Sequence, residues 1–382
     1  MNTCHIYFYD GWLSVSPTTI SVAKVLSKHF DNVNIYAQKT QFKPYKFKEK
    51  NIKVFYIFNS LYFKKEDKPK NFAKSVKKLI EKKNLLNKDD FFLCIDETSL
   101  EPVGDMSEKY NNNLMYLSLE LPNKNEYSEK QCEVFKKMKF VLVQDENRLK
   151  SLYKSYKTDL QNSSAKIFYL PNDSLPCNEP KPNLVNLIEQ FKNIPENTAK
   201  CASIGMISSQ VYSNEIAKVF NNIDNAILIY HDRLKIKKYH PYIKELIKTN
   251  SKNLYLSEQV YDFDDLIYVY SPIDIGIACY RATNNDFSLI GKASGKLNAY
   301  LKYKKPVIAN RLDGLSNIIE KYDCGAVINN IENQEEWQNA INKIMSNYKY
   351  YSDNAYKCYL KEFDFTNNIK PFEEELTKIL KK

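Results

Sequence analysis

The chain has 382 residues, 43% of them hydrophobic, and a formal net charge of +10. That length exceeds one typical domain and the apolar fraction can fill real cores, so two globular domains are expected and wholesale disorder is excluded. No run reaches the ~18 apolar residues of a membrane span, the opening MNTCHIYFYDGW lacks the basic and apolar blocks of a signal peptide, and the eight cysteines form no C-x-x-C pair, so no disulfide framework or cysteine metal cluster is expected.

HIYFY (5–9) reads as a buried strand, and SPTTISVAKVLSKHF (16–30) as a helix with Pro17 in its first turn, a favoured place. The loop between them holds Gly11 and the small Ser14 and Ser16. Further strands are NVNIYA (32–37), KVFYIF (53–58), FFLCID (91–96), LMYLSLE (114–120), KFVLVQD (139–145) and KIFYLP (166–171), with helical spacing in PKNFAKSVKKLIEKK (69–83). Such alternation of apolar strands and helices predicts a parallel sheet covered on both faces. Ligands of open α/β sheets bind beyond the carboxyl ends of strands. Glu120, ending the strand LMYLSLE, is therefore a candidate to hold a hydroxyl or act as a base, and Asp96 and Glu97 end another strand. Asp145, Glu146 and Arg148 read as the first turn of a helix.

Residues 39–88 contain 16 Lys against 4 acidic residues, a balance of +12, with Tyr45, Phe47, Phe55, Tyr56 and Phe72 among the aromatics between them. Two readings stand: a solvated charged face with strand residues behind it, or a patch for an anionic membrane surface, where each nearby Lys contributes about 1 kcal/mol. No helix-turn-helix or RNP-like pattern supports nucleic acid as a partner.

PNDSLPCNEPKP (171–182) holds four prolines and reads as a linker. A second strand series follows: KCASIGM (200–206), AILIYH (226–231), NLYLS (253–257), DIGIACY (274–280), PVIAN (306–310) and GAVIN (325–329). Domains of 1–172 and 178–362 are expected. Ligand-facing candidates at these strand ends are Gly205, His231 in the run His231-Asp232-Arg233, and Tyr280, Arg281, Asn284 and Asn285. Ser294-Gly295-Lys296 reads as a helix entrance, with Ser294 as N-cap and Gly295 permitting close backbone approach. The free amides and partial positive charge of such an end make an anion site, to which Lys296 adds a cation. Lys292 lies just upstream, and Gly314 opens the loop after the next strand.

The run SGKLNAYLKYKKPVIA (294–309) resembles the nucleotide-sugar helix of GT-B glycosyltransferases, especially glycosyltransferase family 4, whose pattern at this place is S-x-K-L-x-E-Y-x-x-x-G-K-P-V-I-A. GLSNIIEKYDCGAVI (314–328) is similar to their G-x-x-E-I-I-x-x-x-x-x-G-x-x-V, and YLSLELP (116–122) to the Y-x-S-L-E of some such enzymes. Upstream similarity is weaker but runs along most of the chain. The resemblance implies an α/β GT-B fold: two Rossmann-like domains facing a central cleft, with a last helix near 365–382 returning to the first. It implies a glycosyltransferase that moves a sugar from a nucleotide-sugar donor to a hydroxyl of a glycan or lipid-linked acceptor, with retention of configuration. No metal and no cofactor beyond the donor are implied. The implied setting is bacterial surface glycan synthesis by a cytoplasmic protein, either free or peripheral on the inner face of the plasma membrane.

On this resemblance, Lys296 with the amides behind Ser294 and Gly295 stabilises the leaving diphosphate, and Glu120 serves the acceptor. Ser14 and Ser16 stand where the family has a Gly-rich loop touching donor phosphate and acceptor. After Gly205 the family carries Arg and a nearby Lys; here the run is GMISSQ, so Arg281 and Lys292 are candidate substitutes. His231 would touch the nucleotide, and Tyr280, Asn284 and Asn285 would line the sugar pocket. The family's two glutamates eight residues apart fall on Gly291 and Ala299, and the second usually grips the ribose hydroxyls. That loss keeps two alternatives open: a sugar-nucleotide epimerase of the same fold, although the chain has only four His for acid–base work, and a degenerate, membrane-associated scaffold.

Overall fold

The computed structural model describes residues 2–40, 43–58, 64–108, 112–122, 127–159, 163–176, 184–192, 194–249 and 252–381. The chain divides into two compact units, residues 1–175 with 365–382, and residues 176–364.

In the first unit the order is β1 (Thr3–Phe8), α1 (Pro17–Leu26), β2 (Asn32–Gln38), β3 (Ile52–Ile57), α2 (Lys68–Lys83), β4 (Phe91–Ile95), α3 (Leu100–Ser107), β5 (Asn113–Leu117), α4 (Glu129–Lys136), β6 (Phe140–Val143), α5 (Glu146–Ser155) and β7 (Lys166–Tyr169). All strand pairs are parallel, in the order β3-β2-β1-β4-β5-β6-β7. β1, β4 and β6 are buried throughout, because helices cover both faces. The strand order reverses at β1, so the loop after β1 sits at a switch point, where such sheets bind ligands.

LMYLSLE is strand only as far as Leu117. The Asp96 carboxylate captures the amides of Leu119 and Glu120, at 2.7 and 3.0 Å, and turns the chain out of the sheet. The expected linker also begins later than residue 171. Thr18 Oγ1 donates to the Asp173 carbonyl at 2.9 Å, and the Leu175 amide donates to Ser21 Oγ at 2.9 Å, so these residues are fastened to α1. Residues 177–183 of that Pro-rich stretch lie outside the described residues.

In the second unit come β8 (Ala199–Ile204), α6 (Ser213–Phe220), β9 (Ala226–His231), α7 (Pro241–Thr249), β10 (Leu254–Leu256), α8 (Ile267–Tyr270), β11 (Ile275–Ala278), α9 (Asn285–Ser288), α10 (Gly295–Lys302), β12 (Val307–Asn310), α11 (Ser316–Tyr322), β13 (Gly325–Ile328), α12 (Gln334–Ser346) and α13 (Tyr348–Cys358). The sheet is again parallel, β10-β9-β8-β11-β12-β13, with its switch point at β8. One core layer gathers Phe220, Leu228 and Trp337, and the other Leu297, Tyr300, Leu301 and Phe363.

The final helix, α14 (Phe365–Leu380), belongs to the first unit. Phe372 meets Phe140 and Phe168 edge to face, with ring centroids 5.6 and 5.5 Å away, and His29 pairs with Glu373 at 3.2 Å. Among the described residues seven cysteines are buried and unbridged, and no helix is long and apolar enough to cross a membrane.

Candidate functional site

Tyr300 fixes where α10 sits. Its hydroxyl donates to the Ala202 carbonyl at 2.9 Å and accepts from the Ile204 amide at 2.9 Å. Its ring lies on Gly276, where a Cβ would come within 2.2 Å of Tyr300 Cγ. One turn earlier on the same helix face stands Lys296. It is thereby carried over the end of β8, where its ammonium donates to Ser203 Oγ at 2.9 Å.

The entrance to α10 is capped by Ser294, whose Oγ accepts the Leu297 amide at 3.0 Å. The same hydroxyl lies 2.6 Å from the Tyr280 hydroxyl, which burial pushes above its usual range. Asn310 holds Tyr280 from both sides, accepting its amide at 2.8 Å and donating to its carbonyl at 2.9 Å. Gly205, just past β8, has φ +111, and a Cβ there would stand 3.3 Å from Lys296 Cε, so glycine serves both backbone and neighbour.

Lys296 is 8% exposed. Burial pulls its ammonium down to about 8; Cys279 and Asp232 oppose this, and the Arg233 guanidinium adds to it. Two cations and the Asp232 carboxylate, whose ionised form both cations favour, therefore bear on one another at the mouth of α10. Sequence reasoning passed over Ser203 and Arg233. The only signal was their place, small or basic at the ends of adjacent strands.

His231 is buried and its Nδ1 lies 3.0 Å from Ser257 Oγ. Burial pulls the imidazole down to about 4, so it is neutral at neutral pH. Gly314, at φ +80, comes against Gly291: a Cβ on Gly291 would stand 3.0 Å from the Gly314 carbonyl oxygen.

The other expected cations have different partners. Arg281 pairs with Glu215 at 2.6 Å, donates to the Ser209 carbonyl at 3.2 Å and stacks on the Tyr212 ring, 4.2 Å from its centroid. Lys292 pairs with Glu362 at 2.8 Å, and Lys321 and Tyr322 each approach the same carboxylate at 2.7 Å. Burial opposes ionisation of Glu362, yet these three hydrogen bonds hold its carboxyl down to about 2. Asn284 is exposed, and its side chain accepts the Phe287 amide at 3.0 Å, capping α9. Asn285 opens α9, and its side chain is outside the described residues. The triplet Asp262-Phe263-Asp264 has D-x-D form and lies at the turn after β10, but among the described residues no group of three His, Cys, Asp or Glu could hold a metal ion.

In the first unit Ser14 lies in a helical turn at Leu13–Val15, and Ser16 is the N-cap of α1, with its Oγ 2.8 Å from Thr19 Oγ1. Glu120 is exposed in the loop after β5, not at a strand end. The carboxyl buried at this sheet edge is instead Asp96, at φ +56, a sparsely populated conformation for a non-glycine residue. Burial pushes Asp96 well above the usual carboxylate range, the Glu120 and Asp10 charges push it further, and the two amides it accepts oppose.

No protein-family model and no curated protein sequence matches this chain. Solved structures do. A sucrose-phosphate synthase from Thermosynechococcus elongatus superposes with TM-score 0.70 at 12% identity, over 100% of this chain and 98% of that one. A glycosyltransferase from Rickettsia africae gives TM-score 0.69 at 15% identity, over 99% and 98%. Anabaena HepE, solved in complex with UDP-glucose, gives 0.67 at 13% identity, over 98% and 99%. The likeness, with the two parallel sheets of seven and six strands, establishes the fold: two Rossmann-like domains of GT-B type.

Proposed function

We propose that this chain is a glycosyltransferase that moves a sugar from a nucleoside-diphosphate donor to a hydroxyl acceptor. Lys296 carries the proposal: a nearly buried ammonium at the mouth of α10, resting on Ser203 and beside Gly205, with Arg233 in electrostatic reach. A diphosphate there would offset the repulsion between the two cations, of which Asp232 already meets part. As the bond from the anomeric carbon to the diphosphate breaks, charge grows on the phosphate oxygens, and fixed cations in a partly dry site stabilise that state most. Ser294, Gly295 and Tyr280 would shape the entrance, and neutral His231 would face the nucleotide. UDP is the first nucleotide to test, because HepE is solved with UDP-glucose and the E. coli trehalose-6-phosphate protein with UDP-2-fluoro glucose.

Finer parts of the reading follow the same chemistry. Retention of configuration needs a stabilised leaving group more than a strong protein base, which suits a site with two cations, Lys296 and Arg233, against one carboxylate, Asp232. On the acceptor side Asp96 is a better placed carboxyl than Glu120, being buried and fixed by two amides. Lys70, Lys74, Lys77 and Lys78 are exposed on α2 while Phe72, Val76 and Ile80 are buried, so the helix would offer a cationic face to an anionic leaflet. That supports a lipid-linked or surface-glycan acceptor at the inner face of a bacterial plasma membrane.

The test is turnover with a panel of UDP-sugars and acceptors, reading released UDP. Lys296→Ala should lower kcat by more than it raises the donor KM, by roughly tenfold or more, the worth of a charged hydrogen bond. Normal turnover by this variant with a verified donor would end the assignment. For the membrane part, binding to anionic vesicles should weaken with salt, because exposed charges are screened beyond ~10 Å at 0.1 M; equal sedimentation with neutral vesicles would contradict it.

A further inference from the structure

We infer that Glu362 is a positioning residue for the entrance of α10: by its grip on Lys292 it holds the turn that leads into the helix amides and Lys296. This rests on the transfer reading above and adds to it a residue that touches no substrate. The observation is a convergence on one carboxylate. Lys292 Nζ approaches Glu362 Oε2 at 2.8 Å, and Lys321 Nζ and the Tyr322 hydroxyl approach Oε1, both at 2.7 Å.

The partners come from separate elements of the second unit. Lys292 lies in the turn Gly291–Ala293, and the next residue is the cap Ser294. Lys321 and Tyr322 end α11. Glu362 lies in a π turn, Tyr359–Phe363, that extends α13, and the Asp364 amide donates to the Tyr359 carbonyl five residues back at 3.0 Å. Widened turns of this kind recur at functional sites. This one buries Tyr359 and Phe363 in the core layer that also holds Leu297, Tyr300 and Leu301 of α10. One carboxylate thus ties the approach to α10 to the layer on which the helix body packs.

Backbone contacts fix the start of the turn. Gly291 lies on the Gly314 loop, and the Ser294 amide donates back to the Gly291 carbonyl at 3.2 Å. Lys292 adds the side-chain tether to the end of α13. The pairs themselves contribute modestly to stability, because the Lys292 and Lys321 side chains are 29% and 63% exposed. Their consequence for position is larger. A helix N-terminus acts on an anion within its first turn, and a misplacement of ~1 Å can cost about a hundredfold in rate. The tether sits two residues before Ser294, so its loss moves the amides and the ammonium together.

The experiment uses the full chain and reads two things: calorimetric affinity for UDP, GDP and dTDP, and amide hydrogen exchange across residues 289–298. The variants are Glu362→Gln, Lys292→Ala, Lys292→Arg, Lys321→Ala and the double change Glu362→Gln with Lys292→Ala. Glu362→Gln and Lys292→Ala should each weaken the diphosphate that the parent binds by roughly fivefold, and the double variant should be no worse than either alone. Both should exchange the 289–298 amides faster, because a loosened turn opens more often. Lys292→Arg should hold affinity within about twofold of the parent, since a guanidinium still pairs with the carboxylate. Lys321→Ala removes a partner of the same carboxylate from a different element. It should lower Tm about as much as Lys292→Ala and leave affinity and exchange unchanged. A Lys292 that itself met the diphosphate would give the opposite sign: Glu362→Gln would free it and hold or raise affinity, and that result overturns the inference. Equal losses of affinity from Lys321→Ala and Lys292→Ala reduce the cluster to a general brace and also overturn it. Unchanged exchange over 289–298 in Glu362→Gln overturns it whatever the affinities. A parent that binds none of the three diphosphates sinks the transfer reading, and the exchange comparison then decides this inference by itself.

Discussion

Lys296 rests its ammonium 2.9 Å from the hydroxyl of Ser203, a buried residue at the end of the central strand of its sheet. Burial holds Lys296 at about 8 in the folded chain, against 10.5 when solvated. Between those values the unfolded chain binds more protons, so stability rises with pH from about 8 to about 10.5. Below that window the charged form costs the fold on the order of 3 kcal/mol. Lys296→Met, of similar length and uncharged, should therefore melt higher at pH 7, at about 2–4 °C per kcal/mol recovered. The gap should shrink as pH rises past 8. The same variant should lose UDP binding, and the parent's UDP affinity should fall between pH 7 and 9 as the ammonium loses its proton. A Met variant no more stable at pH 7, with UDP affinity flat across that range, would show that this lysine is neither strained nor the anion's partner.

Gly291 stands where the resembled pattern has a glutamate, and the structure shows what replaced it. A Cβ there would lie 3.0 Å from the Gly314 carbonyl oxygen and 3.1 Å from its carbon, so backbone fills the space. Restoring the acid should fail. Gly291→Glu and Gly291→Ala should both destabilise by about 1–3 kcal/mol, the range for overpacking, and neither should gain donor affinity. Thermal melts and a UDP titration check this. A glutamate variant as stable as the parent and tighter for UDP would mean the Gly314 loop gives way easily.

The strands were readable because each is a short apolar run, and the α10 entrance because serine, glycine and lysine at a helix start have local meanings. What escaped reading depends on distant partners. Ser203 lies 93 residues from Lys296, and Glu215, which takes the Arg281 guanidinium, lies 66 residues from it. Lys292 and Arg281 had the right charge near the right helix, but carboxylates far along the chain claim them. β5 stops at Leu117 because the Asp96 side chain takes the next two amides, a contact across 23 and 24 residues. Local pattern gives the elements; the polar pairings that decide which cation is available are settled only in three dimensions.

Arg281 separates two roles that a sequence cannot. Its fork is taken by Glu215 and Ser209, and its plane by Tyr212, with 42% of the side chain exposed. Arg281→Ala should cost about 1 kcal/mol or less, as for exposed pairs and stacks, and leave UDP affinity unchanged. A tenfold loss of UDP affinity with an unchanged melt would instead put this guanidinium on the donor.

Lys304 occupies the place where the resembled pattern S-x-K-L-x-E-Y-x-x-x-G-K-P-V-I-A has glycine, and it takes the backbone glycine would take, φ +60. α10 ends there in a Schellman turn: the Lys304 amide donates to the Leu301 carbonyl at 3.1 Å and the Lys305 amide to the Tyr300 carbonyl at 2.8 Å. Ser352 Oγ donates to the Lys304 carbonyl at 2.8 Å, so the conformation is fixed from outside as well. A residue with a Cβ pays about 1–2 kcal/mol in this left-handed region. Lys304 recovers some of that by setting its ammonium 4.8 Å from the Tyr356 ring centroid, worth about 0.5–1 kcal/mol at an exposed site. Lys304→Ala keeps the strain and loses the ring, so it should destabilise. Lys304→Gly loses the ring and the strain together, and should end about 1 kcal/mol more stable than the alanine variant. Chemical denaturation of the two variants side by side measures the difference. If alanine proves equal to or better than glycine, the left-handed turn closing α10 is not what this chain adopts.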